Sequence, residues 1–182
     1  MASKDPLGDC ALSFPCDAGV VVLCTLVTTY AASYVTLGPG PFQMDPGGEP
    51  KAFEEHLKRY QSLFQLVITL STATVAFLVS FLIGLSDDKP RSVYGHRMEA
   101  ACPFAILVLG SSVVFALLFI ISENLAYEAY SEYLQTRIRA ANPDRQSPYS
   151  RRWYAANLSF GYTSLFLFLA AYGYVAFRLL RS

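Results

Sequence analysis

The residues able to do chemistry are few and widely separated along the chain. The 182 residues include only two histidines, His56 and His96, and four cysteines that form no CxxC spacing. Zinc and haem sites need several such ligands close together, and the two histidines are predicted to lie on opposite sides of a membrane. Nucleophile, zinc-protease and phosphate-loop motifs are missing as well. The sequence therefore predicts a protein that is not an enzyme and that holds no metal or other cofactor.

Two cysteines in the polar N-terminal tail have more than one possible role. Cys10 and Cys16 are six positions apart, ahead of the first apolar run. In an oxidising compartment they would form a disulfide. On a cytosolic face they would be free thiols or acylation sites beside the membrane. The sequence leaves these alternatives open.

The elements that must position these residues are long apolar helices. The chain is 53% hydrophobic and 15% charged, and its charges are crowded between apolar runs. About 20 apolar residues in a helix cross a hydrocarbon core of about 30 Å. The run interiors hold no Asp, Glu, Lys, Arg or His, which argues against proton relays, ion-coupled transporters and voltage sensors. The predicted spans are residues 18–37, 61–85, 103–122 and 154–177.

Two of the helices are predicted to be longer than the membrane is thick. The helix of the second span begins near Pro50, a residue suited to a first helical turn. The helix of the third span is predicted to run from about 102 to 141, because no Gly or Pro follows Ser122 until Pro143. The predicted fold is all-α, an integral membrane four-helix bundle over residues 1–182, with helices 2 and 3 extended beyond the bilayer on one side.

Charge predicts the orientation of the chain. With four spans, both termini share one side, and the loops 38–60 and 123–153 lie on the other. These loops and the adjacent helix ends carry eight of the 14 Lys and Arg residues. The positive-inside bias predicts that this side is cytoplasmic. A formal net charge of zero gives no indication of nucleic-acid binding.

Small and polar residues form faces on the predicted spans. At 100° per residue, they share one arc of about 140° on span two. Such faces bring membrane helices together, with hydrogen bonds between them, or they line water in a pore. We predict one of these two roles for Gln61, Gln65, Thr69, Thr72, Ala76 and Ser80 of span two, and for Thr25, Thr29, Ser112 and Asn157 of the other spans.

Two functions agree with these patterns. The first is a non-catalytic structural or regulatory subunit of a larger membrane complex, whose projecting helices offer Tyr127, Tyr130 and Tyr133 to a partner. The alternative is the pore-forming subunit of a homo-oligomeric ion channel, with Glu123 at the pore mouth. The predicted partners are the lipid bilayer and other membrane subunits or further copies of the chain.

Overall fold

The computed structural model describes the backbone of residues 13–37, 50–84, 93–140 and 150–180, and the side chains of most of them. These ranges are helical almost throughout and contain no strand, so the described chain is all-α. The four helices are α1 (Ser13–Thr36), α2 (Pro50–Gly84), α3 (Val93–Ala140) and α4 (Arg151–Leu180).

Each helix contains a segment long and apolar enough to cross a membrane. The four segments are 20, 27, 28 and 30 residues long, and all meet the length of about 20 residues that a span requires. Their bounds are Asp17–Thr36, Lys58–Gly84, Ala101–Glu128 and Arg151–Leu180.

The start of α3 differs from its predicted position. The helix begins at Val93, about nine residues before the predicted start, and Pro103 lies inside it. Proline removes one backbone hydrogen bond and usually ends a soluble helix, which is why the sequence pattern placed the start near it. Membrane helices tolerate an internal proline when neighbouring groups satisfy the freed carbonyl. Pro50, in contrast, is the first residue of α2, as its ring geometry favours.

The helices pack around a central pair, α3 and α4. In the described ranges α2 packs mainly along α3, α1 packs against α4 and to a lesser degree α3, and α1 does not touch α2. The core between them contains Cys102, Ala105, Val108 and Leu109 of α3. Small side chains at several core positions let the helix backbones approach closely. As a consequence, α2 has protein on one side only.

A second apolar cluster lies where α2, α3 and α4 meet. Phe64 of α2 and Phe119 of α3 are buried, with ring centroids 4.5 Å apart. Gly161 of α4 faces both rings, and an added Cβ there would lie 3.1 Å from an atom of each. That separation is tighter than ordinary van der Waals contact, so the two rings occupy space that only glycine leaves free.

This contact predicts the effect of enlarging Gly161. We expect Gly161→Leu to lower the free energy of unfolding by about 1–3 kcal/mol, because extra methylenes displace packed rings. Gly173 lies on the same helix with nothing within 4 Å of an added Cβ, so Gly173→Leu is the matched control. Reversible unfolding in detergent measures both variants. Equal stability of the two would contradict the packing described at Gly161.

Candidate functional site

Two serines join the central helices. Ser112 of α3 donates its hydroxyl hydrogen to the carbonyl oxygen of Ser164 on α4 at 2.7 Å. Ser164 donates in return to the carbonyl oxygen of Ser112 at 2.9 Å. Both side chains are fully buried. Because each hydroxyl reaches the opposite backbone, this reciprocal pair requires α3 and α4 to lie very close together.

Threonines connect α1 to α4 in a similar way. The hydroxyl oxygens of Thr29 and Thr163 are 2.7 Å apart and buried. Thr29 also lies 2.8 Å from the carbonyl oxygen of Thr25 in its own helix. If Thr29 donates to that carbonyl, Thr163 donates to Thr29, and both hydroxyl hydrogens are used. Thr25 is half-buried and donates to the carbonyl of Val21 at 2.7 Å, and among the described residues it makes no bond to another helix.

A cluster of hydrogen-bonded polar side chains joins α3 and α4 near the end of the third span. The buried side-chain amide of Asn157 donates to a carboxyl oxygen of Glu123, and its amide oxygen accepts a hydrogen bond from Ser122. One residue further along α3, Asn124 accepts a hydrogen bond from Gln61 of α2 at 2.9 Å. Glu123 is therefore half-buried in the contact between α3 and α4. Its proposed place at a pore mouth stays a prediction.

Arg151 makes a contact that the sequence did not indicate. It lies at the start of α4, where its guanidinium is 4.1 Å from the ring centroid of Tyr34 and donates to the backbone carbonyl of Tyr34. The last carbonyls of a helix have no partner within that helix and carry partial negative charge. Arg151 satisfies one such carbonyl of α1. A sequence offers only a weak signal for this contact, because the two residues are 117 positions apart.

The polar face of α2 points away from the other three helices. The side of α2 that packs inward carries Phe64, Val67, Ser71 and Leu78. Among the residues of the predicted stripe, Gln61 is half-buried against Asn124, and five others are exposed: Gln65, Thr69, Thr72, Ala76 and Ser80. The arc that the sequence predicted to be buried is thus left uncovered by helices α1, α3 and α4.

Some exposed side chains on this face have hydrogen-bond partners in their own helix, and others have none. Thr69 donates to the carbonyl oxygen of Gln65 at 2.8 Å, and Thr72 donates to that of Ile68. Bonds of this kind let a hydroxyl face hydrocarbon without a partner on another helix. The Gln65 side chain makes no hydrogen bond within the described residues. The Ser80 hydroxyl makes none there either, but a hydroxyl can bond back to its own helix, whereas an amide has an acceptor and two donor hydrogens to satisfy. Of the stripe, the Gln65 amide is therefore the group that most needs an outside partner.

Several predicted residues lie where their contacts are not described. Cys10 is outside the described residues, and so are the side chains of Cys16, Tyr130 and Tyr133. Tyr127 is on α3 and partly exposed. The remaining cysteines, Cys24 and Cys102, are free thiols. Among the described side chains, no group of three or more His, Cys, Asp and Glu residues is placed to hold a metal ion.

The folded helices place the chain in a broad class. Four helices long and apolar enough to cross a bilayer, with polar groups paired between them, define an integral, multi-pass, all-α membrane protein. No protein-family model, curated protein or solved structure matches the chain. The function must therefore be argued from the side chains themselves.

The threonine contact between α1 and α4 predicts a measurable coupling. We expect Thr29→Val and Thr163→Val to be non-additive, with a coupling energy of about 0.6 kcal/mol, the average for hydrogen bonds between membrane helices, and at most about 1.7 kcal/mol. Thr28→Val, at an exposed position of α1, is the control and should not couple to Thr163→Val. Unfolding in detergent supplies all the values. Additive effects at 29 and 163 would show that the bond contributes nothing to stability.

Asn157 predicts a second, larger effect. Asn157→Leu removes the partners of Glu123 and Ser122 and should cost about 1–3 kcal/mol, because a half-buried carboxyl group loses its hydrogen bond. Adding Glu123→Leu should recover part of that loss, since two apolar residues replace an unpaired polar one. Asn124→Leu is the control, because the bond to Gln61 that it removes is exposed and its loss should cost less. If Asn157→Leu and Asn124→Leu lower the free energy of unfolding by the same small amount, the contact of Asn157 with Glu123 and Ser122 does not stabilise the fold.

Proposed function

We propose that this protein is a non-catalytic structural or regulatory subunit of a larger membrane complex. Its four helices form a membrane bundle, and the assembly surface is the outward face of α2, made by Gln65, Thr69, Thr72, Ala76 and Ser80. The observation that carries this proposal is that the face is polar and yet uncovered by the described helices of the chain.

The depth of Gln65 supports the proposal. It lies seven residues after Lys58, where the second span begins, and is therefore about 10 Å along the span. Hydrocarbon offers no hydrogen-bond partner at such a depth, and unpaired polar groups there are costly. A glutamine on a neighbouring membrane helix, or another polar side chain, would pair with the amide. Assembly of a complex would remove the free-energy cost of leaving the Gln65 amide without a hydrogen-bond partner in lipid.

The shape of the face supports the same conclusion. Four small residues follow one another at intervals of four along α2: Thr72, Ala76, Ser80 and Gly84. Rows of small residues let a second helix come close enough for extensive van der Waals contact. Gly84 has nothing within 4 Å of an added Cβ, so the space beside this row is open in the single chain.

The lengths of α2 and α3 suggest a second contact region. α3 has 48 residues, of which 28 form the candidate span, and α2 has 35 residues with a span of 27. A 48-residue helix is about 72 Å long, more than twice the hydrocarbon thickness of about 30 Å. We propose that α2 and α3 project on the side of the loops 38–60 and 123–153, which is cytoplasmic, and that Tyr127, Tyr130 and Tyr133 contact a partner there.

The proposal predicts what happens when the Gln65 amide is removed. Gln65→Leu keeps the size of the side chain and should release the protein from its complex, because the α2 face loses its polar partner. Mass in mild detergent and the set of co-purified subunits measure this release. Gln61→Leu is the matched control, since Gln61 bonds to Asn124 of the same chain. It should lower thermal stability and leave the complex intact.

Other results decide between the candidate functions. A wild-type protein that is monomeric and recovers no partner from mildly solubilised membranes would contradict the subunit proposal. A stable ring of identical chains that conducts ions in a planar bilayer, and stops conducting with Gln65→Leu, would instead support the channel. The outward polar face would then line the water-filled pore. Glu123→Ala should alter that conductance only if the carboxyl group leaves its contact with Asn157.

A further inference from the structure

A groove separates α2 from α4 on the outer surface of the helices. Its floor is formed by the buried rings of Phe64 and Phe119 and by Gly161, and its rim carries Tyr60, Leu63 and Tyr162. The groove is open on its outer side and encloses about 60 Å³. That volume is well below the roughly 300–1,000 Å³ of enclosed small-molecule pockets, so the feature is a shallow surface groove.

The floor of the groove is held in place by packing. The ring of Phe119 enters from α3 between α2 and α4. Its centroid lies 4.5 Å from that of the Phe64 ring and 6.0 Å from that of the Tyr60 ring. Gly161 allows this entry because its missing side chain leaves room for both phenylalanine rings. Packing among these side chains therefore sets the shape of the groove.

The groove ends where α2 and α4 meet. Further along both helices, the hydroxyls of Thr74 and Tyr172 are hydrogen-bonded to each other. From Tyr60 to Thr74 is 14 residues, or about 21 Å of helix, which is close to the depth of one leaflet. The lined part, near Tyr60 and Leu63, lies at the start of the second span. The opening therefore faces the hydrocarbon of a single leaflet, next to its headgroups.

The polar groups at the rim indicate what kind of molecule fits. Tyr60 and Tyr162 are 49% and 50% exposed, and neither hydroxyl makes a hydrogen bond within the described residues. Tyrosines at this depth usually place the ring in apolar surroundings and the hydroxyl beside a polar partner. Ester carbonyls of a phospholipid are hydrogen-bond acceptors at the boundary between headgroup and hydrocarbon.

One arginine stands above the rim. Arg59 is four residues before Leu63 and so shares its face of α2. It is exposed and has no ion pair or hydrogen bond within the described residues. A guanidinium group binds phosphate through two parallel hydrogen bonds, and basic groups beside membrane helices attract anionic headgroups.

We propose that this groove binds one anionic phospholipid from the bilayer. An acyl chain lies over Phe64, Phe119 and Gly161, the ester region meets the hydroxyls of Tyr60 and Tyr162, and the phosphate meets Arg59. The site is separate from the outward polar face of α2, because Leu63 and Gln65 lie on different sides of that helix. Binding of this lipid does not depend on the assembly of a complex.

Binding of the acyl chain is tested with a variant whose larger side chain fills the groove. The protein is reconstituted with phosphatidylglycerol and phosphatidylcholine of identical acyl chains, extracted in mild detergent, and examined by native mass spectrometry. We expect wild type to retain one phosphatidylglycerol and Leu63→Trp to retain about tenfold less, because the indole occupies the space of the chain. Leu117→Trp is the control, since Leu117 is 46% exposed against 42% for Leu63 and points away from the groove.

The headgroup is tested separately. Arg59→Gln should abolish the preference for phosphatidylglycerol over phosphatidylcholine, whereas Arg152→Gln, at an exposed arginine beginning α4, should preserve it. No retained lipid in wild type, equal retention by Leu63→Trp and wild type, or equal loss in both tryptophan variants would overturn the proposal. So would an unchanged preference in Arg59→Gln. Release of partners by Gln65→Leu is measured in a separate experiment. The lipid-retention result therefore tests lipid binding even if the subunit proposal fails.

Discussion

Polar groups inside a bilayer must find partners, and the reciprocal bond between Ser112 and Ser164 joins the two helices against which the others pack. Each hydroxyl reaches the backbone of the opposite helix, which holds α3 and α4 close together at the centre of the protein. A close central pair leaves two outer surfaces. α1 occupies one of them through Thr29 and Thr163, and α2 occupies the other through aromatic and aliphatic packing.

This arrangement leaves α2 with two kinds of exposed surface. Toward α4 the rings of Phe64 and Phe119 hold the helices apart and create a groove whose walls are apolar. On its far side the helix presents small and hydroxyl-bearing residues with the unpaired amide of Gln65. Both surfaces lie on the candidate span of α2, but they need different occupants. Hydrocarbon suits the groove, while the amide needs a hydrogen-bond partner from protein or water.

Much of the fold was predictable, and the candidate site was predictable only in part. The number and approximate place of the spans follow from apolar length, because a helix must satisfy its own backbone in hydrocarbon. The start of α3 at Val93 was not predictable, since Pro103 normally ends a helix and is tolerated here only with neighbouring helices present. The contact of Arg151 with Tyr34 was also beyond the sequence, because it joins the ends of two helices distant in the chain.

The sequence by itself determined that the chain makes four membrane-crossing helices and that each carries a face of small and polar residues. Helical periodicity is a local property, so residues of one segment are enough to define such a face. Only the tertiary structure decided where each face points. Ser112, Thr29 and Asn157 meet partners on other helices, whereas the face around Gln65 points outward. The orientation of α2 depends on how its bulky side packs against Phe119 of α3 and Gly161 of α4. The sequence of α2 alone cannot determine it, because these residues lie on other helices.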